Sequence, residues 1–278
     1  MKSIAMALVL LIWILFRAPA WLRHRRRNRL LSTLFPDAWL RLVETLPLYQ
    51  ALSKADQTEL LQKMSVFLSE KSFVPCNDAV IDDLLRMMIA SGACFLLLHR
   101  HTDMYPAVDE ILIYPSTFKN CHREVMEGGF VKEEVTALLG EAAKWGTVIF
   151  AADQVRKDAY NIKDGRNVVL HEFAHQLDGE SGEFNGAPPL ALKAERASWS
   201  LDFTKGFRAL QHHEGGSAID AYGATNPAEF FAVATECFFE RSSAMKEQYP
   251  AIYEDLKRYY RQDPSLAIDS RTHEIQNK

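Results

Sequence analysis

The stretch NVVLHEFAHQLDG, from Asn167 to Gly179, decides how the rest of the chain is read. Asparagine caps helix N-termini with its side-chain oxygen, and Gly179 stands where a C′ glycine would end a helix. The spacing therefore predicts a helix over 168–178. At about 100° per residue, His171 and His175 lie about 40° apart on one face, so both imidazoles can reach one ion. Zinc accepts nitrogen ligands at about 2.0–2.1 Å and, in catalytic sites, takes three protein ligands and leaves a position for water. Glu172 falls about 60° beyond His175, beside such an ion, where a carboxylate can act as base toward an activated water. Phe173, Ala174 and Leu177 are left for the opposite face. The competing reading is an ordinary helix that carries two histidines, and only a third ligand separates the two.

The segment DAYGATNPAEFFAVATECFFE, Asp220 to Glu240, offers two candidates. Asn226-Pro227 reads as an N-cap followed by proline at the first helical position. Glu229 then sits at the third position, and Glu236 follows seven residues later on nearly the same face. Asn-x-x-Glu is also a capping-box arrangement, which needs no metal. Glu236 is surrounded by Phe230, Phe231, Val233, Phe238 and Phe239, and a carboxylate in that company is costly unless paired. The residues alone leave the choice between Glu229 and Glu236 open.

The 278 residues are 48% apolar and 24% charged, which is globular composition with length for one large or two small domains. A net charge of −4 gives no overall basic field for nucleic acid. Four scattered cysteines, Cys76, Cys94, Cys121 and Cys237, read as reduced core residues. Ser53 and Asp56 open a helix with Leu60, Leu61, Met64, Phe67 and Leu68 at helical spacing. Asp82 to His99 continues as a helix apolar almost all round, hence buried. EILIYPSTF (110–118) and GTVIFAA (146–152) read as strands, with a short helix over 132–144 between them. His212-His213 reads as an exposed loop. His99 and His101, which flank Arg100, read as cations at a helix C-terminus. Tyr253, Tyr259 and Tyr260 read as packing residues of a helix between Pro250 and Pro264. No internal repeat or linker interrupts the chain from Leu30 to Asp263.

The set LHEFAHQLDG (170–179), DAYGATNPAEFFAVATECFF (220–239) and YRQDP (260–264), together with EILIYP (110–115), resembles the Mlc titration factor A (MtfA) family over about Tyr49 to Pro264. The resemblance implies an α+β, zincin-like metallopeptidase domain with a small sheet and the HExxH helix. It implies Zn2+ held by His171, His175 and Glu229, with Glu172 as general base and Tyr222 as hydrogen-bond donor to the oxyanion. Glu236 and Asp178 become candidates for orienting the ligand histidines. The family further implies aminopeptidase-like hydrolysis of a peptide substrate and sequestration of the transcriptional repressor Mlc. A non-catalytic zinc-containing module that binds such a repressor is the alternative, and a membrane-surface adaptor in which HExxH is incidental is a third. One of the two strands, at a sheet edge, would hold extended substrate.

The resemblance implies a soluble cytoplasmic protein, and the N-terminus departs from that. Ile4 to Phe16 is uncharged, and RAPAWLRHRRRNR (17–29) carries six arginines and no acid. A cleaved signal peptide with Ala18-Pro19-Ala20 as its cleavage site, an uncleaved anchor over 3–22, and a buried helix all fit the apolar run. The arginine block directly behind it favours the anchor, with the domain on the cytoplasmic face of the membrane. The expected organisation is an anchor with basic flank over 1–29, a peptidase domain over 30–266, and a polar tail over 267–278.

Overall fold

Among the residues that the computed structural model describes (21–22, 25–100, 102–116 and 146–265), a parallel sheet runs in the order β1 (Ser72–Pro75), β2 (Glu110–Tyr114), β3 (Thr147–Ala151). Ser72 aligns with Glu110, and Glu110 with Thr147. Alternation does what it dictates: Ile111, Ile113, Val148 and Phe150 are buried on one face, while Leu112 and Ile149 are half-buried on the other. β2 stops at Tyr114 because Pro115 has no N–H to continue the ladder. β3 is one residue shorter at each end than the sequence suggests. β2 is also paired on both sides, which removes 110–118 as a substrate edge; β3 is at an edge of the described sheet.

Helices cover the sheet and supply most of the core. α1 (Asp37–Val43), α2 (Pro47–Gln50) and α3 (Lys54–Glu70) lead into β1. Ser53 caps α3 as expected, its hydroxyl oxygen accepting from the Asp56 N–H at 3.1 Å. α4 (Asp83–Phe95), capped by Asp82, is apolar all round and runs through the middle of the molecule, touching α1, α3, α5 (Ala152–Tyr160) and α6 (Val168–Asp178). Beyond α6 come α7 (Lys193–Gln211), α8 (Pro227–Glu240), α9 (Ser242–Gln248) and α10 (Pro250–Tyr260). Trp199 and Phe203 of α7 stack at 4.0 Å and pack, with Phe231 of α8 and Tyr259 of α10, into one aromatic cluster. Tyr253, Tyr259 and Tyr260 are buried, as their spacing suggests.

α4 and α6 touch where Gly92 faces Val169. A Cβ on Gly92 would lie 2.6 Å from Val169 Cγ1, so the two helices meet only because residue 92 has no side chain. Gly92→Ala gains about 1 kcal/mol of helix propensity but overpacks the seam by about 1–3 kcal/mol. The melting temperature is expected to fall, and Val169→Ala in the same chain to recover part of the loss. A higher melting temperature for Gly92→Ala alone would remove this constraint.

Helical residues 25–31 run across the expected boundary at residue 29. Arg27 makes a two-pronged ion pair with Glu70, at 2.7 and 2.9 Å, and a second pair with Asp103, fastening the basic segment to the end of α3. Among the described residues no helix is long and apolar enough to cross a membrane; Ile4–Phe16, the helix expected over 132–144, His101 and the polar tail lie outside them. His99 departs from its expected role. α4 ends at Phe95, and His99 sits beyond it at φ 60°, its ring nitrogens 3.1 Å from Asp56 and 3.5 Å from Glu59. Local carboxylates of α3, rather than a helix dipole, hold it. Among the described residues Cys76, Cys94 and Cys237 are free thiols, the latter two buried; Cys121 lies outside them. His212 and His213 are exposed.

Candidate metal centre

α6 begins as its sequence dictates. Asn167 Oδ1 accepts from the Leu170 N–H at 3.2 Å. Phe173, Ala174 and Leu177 are fully buried, which leaves His171 and His175 on the opposite face with side chains only about one-seventh exposed. The helix stops at Asp178, but Gly179 keeps a right-handed backbone (φ −70°), and the chain continues through a tight turn over Gly179–Ser181. Gly182, at φ 89°, makes the left-handed reversal. Glycine at 179 instead leaves room for the Phe184 ring, whose tip a Cβ there would meet at 2.5 Å.

α8 packs against α6 and brings the third group. Asn226 caps α8 through the Glu229 N–H at 3.0 Å, with Pro227 at the first position. That places Glu229 Oε2 at 3.0 Å from His171 Nε2 and 3.5 Å from His175 Nε2, while the two Nε2 atoms are 3.2 Å apart. Ligands about 2.05 Å from a tetrahedral ion stand about 3.3 Å from one another, so this triangle has the dimensions of one face of a zinc site. Glu229 Oε2 is buried and has no directed hydrogen bond, as expected of an atom aimed at a shared centre rather than at one neighbour. Burial draws His171 toward neutrality, but Glu229 and Glu236 outweigh it and push its pKa up to about 10. Burial raises Glu229, but the two imidazoles overcome it and bring it down to about 2. Two nitrogens and one oxygen, all partly shielded, suit a borderline divalent cation.

Glu236 and Asp178 separate here. Glu236 Oε1 lies 2.7 Å from His171 Nδ1, and its other oxygen accepts the Asn167 N–H. One carboxylate thus fixes the ring that presents Nε2 and ties down the start of α6. It stands on the far side of the imidazole from Nε2, so it cannot share an ion with His175. Asp178 makes no hydrogen bond to either histidine, although its charge and that of His175 act on each other: its Oδ2 accepts from Gly186 N at 2.8 Å and holds the loop after α6.

Glu172 is half-buried on α6, outside the triangle, and its charge acts on both His171 and Tyr222. Tyr222 is carried by a tight turn over Ala221–Ala224, its ring 6.1 Å from that of His171 and 55% exposed. Partial desolvation, with Glu229 and Glu172 nearby, pushes its pKa above 10, so it remains a donor at neutral pH. The turn is held by Asp220, whose Oδ1 accepts from the Tyr222 N–H at 2.9 Å and whose Oδ2 accepts from Arg166 Nε at 3.0 Å. All five residues expected at the site are thus gathered around the crossing of α6 and α8.

The family described as "Glucose-regulated metallo-peptidase M90" matches residues 21–261. The chain belongs to this metallopeptidase family. A relative from Synechocystis sp., an uncharacterized protein, is 36% identical over 268 residues, covering 95% of this chain and 96% of the relative. Proteins named Mlc titration factor A from Yersinia pestis and Yersinia pseudotuberculosis are 30% identical over 225 residues, covering 79% of this chain and 82% of each relative. The M90 assignment implies a metal cofactor, and the donor set at the α6–α8 crossing fits one.

Sequence reading missed the acidic support beneath this candidate centre. Asp158 Oδ2 accepts from the Val168 N–H at 3.0 Å, and Glu240 accepts from Asn167 Nδ2 at 3.0 Å and Gly165 N at 3.1 Å. Glu240 lies one turn past Glu236, a spacing that signals a shared face but not a shared target. Burial pushes the Glu240 pKa up from 4.5 to about 8. Between those values the folded chain keeps a proton that the unfolded chain has released, so stability falls as pH rises through the window. The slope reaches about 1.4 kcal/mol per pH unit at most. Glu240→Gln is expected to flatten the decline of melting temperature between about pH 5 and 8; a curve parallel to that of the parent chain would contradict it.

Proposed function

We propose that this chain is a zinc-dependent, aminopeptidase-like peptidase. The observation that carries the reading is the triangle of His171, His175 and Glu229, three protein ligands rather than the four that structural zinc sites usually take. When bound there, zinc supplies a Lewis acid that acidifies water and polarises a carbonyl. The chain's own groups do the rest. Glu172 takes the proton of the attacking water and returns it to the leaving amine. The Tyr222 hydroxyl donates to the oxygen on which negative charge develops. Glu236 keeps His171 in one orientation throughout. The edge of β3 gives extended substrate a backbone to pair with.

The test is metal analysis of the full chain together with hydrolysis of short peptides, before and after a chelator. About one zinc per chain, with turnover lost on stripping and regained on adding zinc back, supports the peptidase. Stoichiometric zinc with no turnover would favour the alternative, a non-catalytic module that binds a partner. For that partner the Yersinia relatives' name points to Mlc, and an Mlc-like transcriptional repressor is what we would offer the chain first. For the location we propose the cytoplasmic face of the membrane, through residues 3–22. Trp21 and Leu22 are more than half exposed, and the Arg25 guanidinium lies 4.8 Å over the Trp21 ring, an arrangement suited to a lipid headgroup layer. Failure of the full chain to co-sediment with anionic vesicles would argue for a soluble protein instead.

A further inference from the structure

His171, His175 and Gly179 follow one another at four-residue intervals, each about 40° round α6 from the last. Gly179 keeps a helical backbone, so residue 179 continues the stripe that carries the two histidines. A Cβ in a helix tilts toward the N-terminus, so one at 179 would point back along this stripe toward His175. That space is taken by the ring of Phe184, whose Cζ and Cε1 would lie 2.5 and 2.6 Å from it. The ring therefore stands about one turn past His175, on the histidine side of α6. It is 40% exposed, a large aromatic presented to solvent beside the metal centre.

The loop that carries Phe184 is held firmly at Gly186. Gly186 N donates to Asp178 Oδ2 at 2.8 Å, and Gly186 O accepts from Trp199 Nε1 at 2.8 Å. Gly186 also passes so close to Pro227 that a Cβ on it would stand 2.3 Å from the Pro227 carbonyl oxygen. Pro227 opens α8 two residues before Glu229. The loop is thus wedged between the end of α6 and the start of α8, the two helices that supply the triangle. Asn185 braces it from within, accepting from the Ala187 N–H at 3.0 Å and donating to Glu183 at 2.8 Å. A side chain on such a support is positioned rather than left to its own rotation.

A single exposed phenylalanine is ordinary; its place is what singles this one out. One four-residue step along α6 is about 6 Å, and one extended residue spans about 3.3–3.6 Å. A peptide with its reacting carbonyl at the triangle therefore brings a neighbouring side chain within reach of the ring. We propose that Phe184 is a specificity-determining residue, its ring forming a wall of a subsite that takes an apolar side chain flanking the bond to be cleaved. The inference rests on the peptidase reading of the metal centre.

The experiment uses the zinc-loaded full chain and glycine tripeptides in which leucine or serine stands on the carbonyl side or the amine side of the first bond. At one of these positions leucine should be preferred by about 10-fold or more in kcat/KM. Phe184→Ala should bring that ratio to within about 2–3-fold of unity by slowing the leucine substrate alone, and Phe184→Leu should keep most of it. Where Phe184→Ala does not fold, Phe184→Gln, which keeps bulk without apolar surface, takes its place. Where the parent chain shows no turnover, calorimetric binding of leucine hydroxamate against glycine hydroxamate decides instead. Tighter binding of the leucine compound, lost in the same variant, would retain the subsite while removing the peptidase reading. No preference for leucine by the measure that applies would overturn the proposal. A preference that the variant leaves unchanged, or an equal loss on leucine and serine substrates, would overturn it too.

Discussion

Glu172→Gln is expected to lower peptide turnover by about 10²–10⁴-fold while leaving the metal in place. Glutamine has the shape of glutamate but cannot take up a proton, so it removes the base and little else. The separation is clean here because Glu172 is outside the triangle formed by His171, His175 and Glu229. Its contribution to the centre is its charge, felt by His171 and Tyr222, and the loss of that charge should weaken metal binding by less than about 10-fold. The measurement is kcat with metal content determined on the same sample. Turnover within about 2-fold of the parent chain at full occupancy would sink the assignment of Glu172 as the base.

The second large effect is on the metal itself. Glu229→Ala should cost about 100-fold or more in metal affinity, so that dialysis against a competing chelator empties the variant but not the parent. The helix that carries residue 229 should survive, because Asn226 caps it through the backbone N–H, which alanine retains. Glu236 cannot step in: it is bonded to His171 Nδ1, across the ring from the nitrogen that faces the site. Retention of one ion per chain after the same dialysis would place the third ligand elsewhere.

Much of this centre was legible in the sequence because its signals are local. Asn167 and Asn226-Pro227 fix where two helices start, and the position of Glu229 follows from counting three residues. The choice between Glu229 and Glu236 was not legible from the residues themselves. Both lie on one face of α8, two turns apart, and what separates them is how far along its axis α8 crosses α6, which no periodicity encodes. The same limit applies to the strands. EILIY and TVIFA announce themselves by alternation, yet which one is central depends on pairing with Ser72–Pro75, far away in the chain. Gly179 misled for a steric reason, its missing side chain making room for Phe184 rather than for a left-handed turn. His99 misled because α4 ends earlier than its apolar run suggests, leaving the imidazole to the carboxylates of α3.

The triangle joins α6 to α8, with the whole of α7 and the Tyr222 turn threaded between them. An ion gripped from both sides is therefore also a staple, closing a long loop much as a disulfide would. Chain-entropy arguments put such a closure at about 4 kcal/mol for a loop of this size. Starved of metal, the protein should not unravel from its ends first but gape along the seam between these two helices. Scarcity of the ion would then govern how long the molecule survives as well as how fast it works.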